Sequence, residues 1–486
     1  MNADHLSSRT FGAHDQIEFA RISSDWNPIH TDAVAARRTQ AGAPVVHGIN
    51  LLLWSLDALA SRLSEDQDVA SMRVRFNSFV YVGEQVDLFL DGLEATSCSF
   101  HLETEGVTVC RARLKLGPID SPEEFPACED AELLRPAEPY ERTIEEAAGL
   151  TGRIEFSCTE EAVREMFPSA CAKLSSARVR SLLATTTLVG MVCPGLHSIY
   201  SGLTVTASGW ESSPDELRFE VNLADTRFRL VRMKVFGPGV VGTVEAAFRM
   251  PPPEQASVTS VAGFIRPDAF KNAVALVVGG TRGLGELAAK LLAVGGAKVY
   301  VTYAVGHDDA ERVVSEIVNS GGRAESFHYD VRLPAATQLS DIASEVTDVY
   351  YFATPQIFRR KSALFVRSLY EEFHAFYVTG FFDLIQCLIA DEGRKISVFY
   401  PSSIAVEERP SDMTEYAMAK AAGEVLCADL NKFEHRVRVI VSRLPRILTD
   451  QTSTIVEVAT ADPISLLVEA IEQTSANGGP AGDRRG

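Results

Sequence analysis

Three groups of residues combine types and spacings that could do chemistry. In DWNPIH, Asp25 and His30 share one short turn with Asn27 and Pro28 between them, and His47-Gly48 follows seventeen residues after His30 at the start of an apolar helical run. A carboxylate and an imidazole on a single loop can divide general acid and base work. Far along the chain, Tyr416 and Lys420 stand four apart on one helical face, where an ammonium can lower the phenol pKa and bring proton exchange toward neutrality. Ser403 precedes that tyrosine by thirteen residues. The third group is VALVVGGTRGLGELAAKLL, a strand from Val274 to Val278 that runs into Gly279, Gly283 and Gly285 and then into a helix. Such glycines permit a tight turn and let backbone N–H groups at the helix start approach a pyrophosphate.

The elements that must carry these residues fall into three segments. With 486 residues, 46% hydrophobic and 23% charged, the chain is too long for one core. Pro- and acid-rich stretches at Ser121 to Glu141 and Pro251 to Ser260 read as linkers. The first segment has one apolar helix, Gly48 to Leu63, followed by alternating runs that predict an antiparallel sheet. The middle segment repeats that order after a helix from Arg178 to Val192, which suggests a tandem duplication. The last segment alternates strand and helix and predicts a doubly wound parallel sheet. The expected boundaries are 1–118, a linker 119–150, 151–252, a linker 253–270, 271–475, and a disordered tail 476–486.

Charge and cysteine usage narrow the function. Against 46 Lys+Arg stand 65 Asp+Glu, a net charge of -19, which disfavours a binder of nucleic acid or of anionic membranes. The eight cysteines include no C-x-x-C pair, so neither a zinc site nor a disulfide framework is read, and a reduced cytoplasmic setting is expected. The polar start predicts no export signal, and no stretch approaches 18 continuous apolar residues.

The last segment resembles the short-chain dehydrogenase/reductase family. The resemblance rests on the glycine motif, Asp330-Val331, and the set Ser403, Tyr416 and Lys420, and it covers roughly 200 residues. It implies a Rossmann-like α/β fold with Tyr416 as proton donor to the developing alkoxide, Ser403 on the substrate carbonyl, and Lys420 on the nicotinamide ribose. It further implies nucleotide contacts at Gly279, Thr281, Arg282, Gly283, Leu284, Gly285, Asp330, Val331 and Thr449. Departures accompany the match. The family's N-N-A-G reads Tyr351-Phe352-Ala353-Thr354, the helix position of its catalytic Asn reads Tyr377, and Arg446 replaces a glycine in PRILT. The usual last strand is missing. The second strand ends in Tyr303-Ala304, without the acid that would hold a ribose 2'-hydroxyl, and Arg282 sits in the glycine turn, so NADP(H) is expected over NAD(H). Asp308 or Asp309 could still reach inward.

The first segment resembles the MaoC-like (R)-specific enoyl thioester hydratases over about 35 residues, through D-x-N-P-x-H and the His47-Gly48 helix start. That implies an α+β double hot-dog, with Asp25 and His30 as the acid/base pair and Asn27 orienting the loop. The Gly48 N–H would face the thioester oxygen, where a helix dipole favours negative charge. The middle segment lacks the motif and would form the acyl groove, with His197 and Cys193 as groove or core residues rather than metal ligands. The joint expectation is a 3-oxoacyl thioester reductase and (R)-3-hydroxyacyl thioester dehydratase or enoyl hydratase, acting on coenzyme A or carrier-protein thioesters and forming a homo-oligomer. Arg359-Arg360-Lys361 is a candidate carrier-docking patch. The alternative is a hydratase whose reductase-like module is a non-catalytic nucleotide-binding or docking scaffold.

Overall fold

The computed structural model describes residues 3–64, 67–119, 131–209, 215–359, 363–450 and 460–475. They form two compact units, the first ending at Pro251 and the second beginning at Pro252.

In the first unit, alternation of apolar and polar residues builds a half-buried sheet. Along β2 (Val69–Phe76), Met72 and Val74 point to the core while Arg73 and Arg75 face out. The other strands are β1 (Asp4–Thr10), β3 (Gln85–Leu93), β4 (Ser97–Thr104), β5 (Val107–Leu116), β6 (Leu133–Leu134), β7 (Thr151–Glu155), β8 (Ser198–Ala207), β9 (Glu216–Asp225), β10 (Leu230–Gly237) and β11 (Val240–Phe248). Among the described residues they pair in the order β1-β3-β4-β5-β2-β8-β11-β10-β9-β7-β6. Outward from the antiparallel β2-β8 pair the order is β2-β5-β4-β3-β1 on one side and β8-β11-β10-β9-β7 on the other, so each strand has a counterpart in the other half. The duplicated order makes this an α+β double hot-dog.

Two helices line the inner face. Gly48–Leu59 is apolar nearly all round and buried accordingly. Ser176–Thr187 is its counterpart before β8, and it widens into a π-helical turn at Leu188–Val192. The expected linker 119–150 is partly structural. Leu133–Leu134 closes the sheet edge against β7, and Ile144 and Ala147 are buried, because leucine and isoleucine side chains on that stretch still gain from burial. Residues 120–130 lie outside the described set, as does the expected tail.

The second unit is a parallel sheet of β12 (Val274–Val278), β13 (Lys298–Tyr303), β14 (Arg323–His328), β15 (Asp348–Tyr351), β16 (Ile396–Ser403) and β17 (Val437–Leu444). Its order β14-β13-β12-β15-β16-β17 reverses direction between β12 and β15, and ligands of open α/β sheets bind in the crevice at such a switch. This is the Rossmann-like fold. β14 and β17 were hidden from periodicity because arginine and other charged residues interrupt them. After β17 the described residues hold one helix, Pro463–Ser475, in keeping with the missing last strand.

The expected linker 253–270 is also corrected. Val258, Val261, Ile265 and Phe270 are buried in the core of the second unit. A buried ammonium fixes them there. Lys290 lies 2.8 Å from both Glu286 and Glu316 and donates to the Ala256 carbonyl, while Glu316 accepts from Val258 N–H. Lys290→Met should therefore leave the Glu286 carboxylate buried with only Arg312 as partner, and lower the stability of the second unit by about 3–5 kcal/mol. A denaturant titration measures this, and a change below about 1 kcal/mol would contradict it.

Candidate active sites

The hydratase-like site is built by both halves of the first unit. Asn27 caps the short helix Pro28–Thr31 by accepting from Ile29 N–H, and its Nδ2 donates to the carbonyls of Gly190 (2.9 Å) and Gly195 (3.0 Å) in the other half. This ties the catalytic turn to the π-helical turn. Asp25 is 1% exposed; its Oδ2 accepts from the Thr186 hydroxyl at 2.6 Å and its Oδ1 from Asn27 N–H at 3.2 Å. A Cβ added at Gly190 would overlap the Asp25 carboxylate, so only glycine leaves room for it.

Two histidines complete the site. His30 Nδ1 donates to the Val45 carbonyl at 2.8 Å, which leaves Nε2 as the basic nitrogen. Its ring stacks on His47 at 3.7 Å. His47 Nδ1 lies 3.0 Å from Gln16 Oε1 and its Nε2 3.1 Å from the Asp25 carbonyl. Burial, with His30 beside it, holds the His47 pKa well below the usual value, so His47 is neutral and orients rather than transfers. Ligand atoms of Asp25, His30 and His47 lie within 4.8 Å of one another, but both His47 nitrogens are already engaged, with Gln16 Oε1 and the Asp25 carbonyl.

Burial also sets the two working groups. It raises the Asp25 pKa against the attraction of His30 and its hydrogen bonds, and it lowers that of His30 against the attraction of Asp25. Desolvation thus brings a carboxylic acid and an imidazole toward equal proton affinity. Gly48 opens its helix; a Cβ there would meet the Phe76 ring at 3.1 Å, and in the first turn Asn50 N–H donates to the His47 carbonyl at 3.0 Å. Asp25, Asn27, His30 and Gly48 were named from sequence. Thr186, Gly190 and Gln16 were not, since no local pattern marks a residue whose role is contact across 160 positions of chain.

In the second unit the glycine turn sits at the sheet's switch. Gly279 has φ +79° and a Cβ there would meet the backbone at Phe352 and Ala353; at Gly285 a Cβ would overlap the Gly279 carbonyl. Gly283 has φ +56° and opens the helix Gly283–Val294, with Thr449 3.8 Å away and Leu284 in the first turn. These positions leave room for a phosphate at a helix N-terminus and fit a dinucleotide. Thr281 is buried behind the turn, its carbonyl accepting from Arg312. Arg282 is paired with Asp450 at 3.3 Å rather than free for a ribose phosphate, and Asp330 is held by Arg332 at 2.6 Å, with its pKa lowered by that contact. Val331 is buried in the core.

Against the larger upward effect of burial, Ser403 stands near enough to the Tyr416 hydroxyl to pull its pKa down, and the Ser403 Oγ accepts from Ala405 N–H at 3.1 Å. Lys420 departs from expectation. Its Nζ donates to the Pro401 carbonyl at 2.6 Å and lies over the rings of Tyr377 (3.9 Å) and Tyr400 (5.1 Å), and burial pushes its pKa down to about 7. Tyr416 is raised by burial, not lowered by Lys420, because the amine is turned away. Tyr377 fills a π-helical turn; its hydroxyl lies 2.5 Å from Thr354 Oγ1 and its carbonyl accepts from Tyr400. Of the expected docking patch, Arg359 pairs with Glu372, while Arg360 and Lys361 lie outside the described residues. His197 and Cys193 are buried, as expected for groove or core residues.

Comparison with known proteins matches residues 2–97 to the family model "MaoC like domain" and residues 273–459 to "short chain dehydrogenase". Versicolorin reductase stcU of Emericella nidulans is 48% identical over 73 residues, 15% of this chain and 28% of that protein. The mitochondrial 3-hydroxyacyl-[acyl-carrier-protein] dehydratase of Arabidopsis thaliana is 30% identical over 79 residues, 16% of this chain and 47% of that protein. The (R)-specific enoyl-CoA hydratase of Aeromonas caviae is 32% identical over 80 residues, 16% of this chain and 60% of that protein. The matches thus span less than two thirds of each relative. No described helix is long and apolar enough to cross a membrane.

Three outcomes follow from the first site if it carries out hydratase chemistry. Thr186→Val should slow dehydration of a 3-hydroxyacyl thioester by about tenfold, with Thr186→Ser restoring it, since a hydroxyl bonded to a carboxylate carries that much energy. Gly190→Ala should cost about a hundredfold, the scale of losing a positioned acid. Because His30 is held below the ordinary histidine pKa, it stays neutral and able to accept a proton as pH falls through that value. On the His30 limb a pH–rate profile should therefore hold level as pH falls through the ordinary histidine value and drop only below it; a fall centred at that value would contradict it.

Proposed function

We propose that this chain, which carries a MaoC-like domain followed by a short-chain dehydrogenase domain, reduces a 3-oxoacyl thioester and dehydrates the resulting (R)-3-hydroxyacyl thioester. The observation that carries the reading is the convergence of Asp25 and His30 at a helix N-terminus in one unit, with Ser403 beside the buried Tyr416 in the other. A 3-hydroxyacyl thioester is product of one chemistry and substrate of the other. Fusing the two therefore has a chemical reason.

In dehydration, His30 Nε2 takes the C2 proton while the Gly48 N–H supports the negative charge gathering on the thioester oxygen. The C3–O bond breaks, and Asp25, kept protonated more readily by burial, delivers a proton so that water departs. Proton return from His30 to Asp25 restores both groups. Hydration is the same path reversed. In reduction, a nicotinamide cofactor, when bound, supplies the hydride. Ser403 holds the carbonyl, Tyr416 gives its phenolic proton to the oxygen, and Gly279, Gly283, Leu284, Gly285 and Thr449 would hold the dinucleotide. NADP(H) is favoured by the absence of an acid at Tyr303-Ala304, not by Arg282, which Asp450 neutralises. Relatives acting on a carrier-protein thioester and on a coenzyme A thioester support either carrier.

A second reading, hydratase only, is favoured by Lys420, whose amine faces Pro401 and Tyr377 instead of Tyr416. NADPH consumption with short 3-oxoacyl thioesters, followed by mass analysis of water loss, separates the two. Tyr416→Phe should abolish reduction and leave dehydration intact. Asp25→Asn and His30→Ala should each slow dehydration by about a hundredfold, without adding in the double variant, because the pair works as a unit. If Tyr416→Phe reduces as fast as the parent, the reductase assignment fails; if both hydratase variants dehydrate normally, the dehydratase assignment fails.

A further inference from the structure

Beside the hydratase-like site lies a buried cation that neither activity uses. Arg249 follows β11 in the half without the motif and is 4% exposed. Its Nη2 donates to the Leu196 carbonyl at 2.6 Å and its N–H to the His197 carbonyl at 2.8 Å. Nε and Nη1 have no partner, although both are buried. Among the described residues no carboxylate pairs with this guanidinium. Burial lowers its pKa only to about 10, so it is charged at neutral pH.

The place is close to the chemistry. The Leu196 carbonyl that receives Arg249 also lies 3.4 Å from Asn27 Nδ2, and Asn27 sits on the turn that carries Asp25 and His30. The Arg249 charge is felt at His30, whose pKa it helps to lower, and at His197. His197 is itself 7% exposed; its Nε2 faces Glu141 at 3.1 Å and its Nδ1 has no partner.

A buried guanidinium with two idle N–H groups is expensive, because an uncompensated charge inside a protein forfeits hydration without return. Nor is it needed to hold its loop. Leu196 N–H donates to the Tyr140 carbonyl and Tyr140 N–H to the Met191 carbonyl, Arg142 donates to Val192, and Asn27 holds Gly190 and Gly195. The Nε and Nη1 N–H groups left without acceptors are donors suited to the oxygens of a carboxylate or phosphate. We infer that Arg249, with His197, is a binding site for an oxyanion group borne by the thioester substrate, a site supplied by the half of the unit that lacks the catalytic motif. The inference rests on the hydratase reading for its substrate, and the anion is either a carboxylate on the acyl chain or the phosphate of the pantetheine arm. Arrival of the anion would also favour a proton on His197 Nδ1, giving it a donor to contribute.

Binding is measured calorimetrically on the full chain with two probes, 4'-phosphopantetheine and glutarate, in the parent, Arg249→Met, Arg249→Lys and His197→Gln. The expected result is binding of one probe that weakens tenfold or more in Arg249→Met, less in Arg249→Lys, and severalfold in His197→Gln. The probe that binds identifies the source. In parallel, hydration of N-acetylcysteamine crotonyl thioester, which carries neither anion, should keep its KM in Arg249→Met. No binding of either probe by the folded parent, or equal binding by parent and Arg249→Met, overturns the site. A tenfold loss on the neutral thioester with both probes still bound assigns Arg249 to structure and overturns it too. A parent that binds a probe yet hydrates no thioester leaves the anion site standing and removes the hydratase reading instead.

Discussion

The first unit depends on one buried carboxylate. Asp25 can occupy its position only because Gly190 has no side chain, and it stays aligned because Thr186 donates to it from the opposite half. Neither half could make this site alone. The π-helical turn at Leu188–Val192 follows from the same constraint, since it swings the Gly190 carbonyl toward Asn27 while the helix behind it keeps Thr186 aimed at Asp25. Further bonds run across the same seam: Ser23 accepts from Thr187 through its carbonyl, and the Trp26 N–H approaches Met191 Sδ at 3.2 Å. The half that lacks D-x-N-P-x-H supplies the wall that sets the environment of the other half's turn.

That division explains what the sequence could and could not disclose. DWNPIH and His47-Gly48 were legible because a turn and a helix start gather their chemistry within a few residues. The glycine turn and the spacing of Ser403, Tyr416 and Lys420 were legible for the same reason, and the alternation of β3, β5 and β9 marked strands that are half buried. Gly190, Thr186 and Arg249 were not legible, because their roles arise only when distant segments meet. The edge strand Leu133–Leu134 and the buried segment Val258–Val261 were mistaken for linkers, since prolines and acids around them outweighed a few apolar residues.

The second unit keeps a nucleotide-binding frame around an altered interior. Tyr400 approaches Tyr377 and the helix Thr414–Phe433 at Gly423, where any side chain would overlap its hydroxyl. Together Tyr377 and Tyr400 give Lys420 two aromatic faces, which favour an ammonium that burial alone would disfavour. The amine thus faces Pro401 and the two rings, and the Tyr416 pKa is set by burial, with Ser403 acting against it. Catalytic competence of this unit is the point on which the two functional readings divide.

The central claim is that both units act in turn on one 3-hydroxyacyl thioester. Reduction with NADPH carrying deuterium at the transferable position, followed by mass spectrometry of the thioester products, tests it most directly. Hydride transfer places deuterium on C3, and dehydration removes a proton from C2 and hydroxyl from C3. The account predicts an enoyl thioester that retains one deuterium at C3. Recovery of only unlabelled 3-oxoacyl thioester, or of a labelled 3-hydroxyacyl thioester that never loses water, would contradict it.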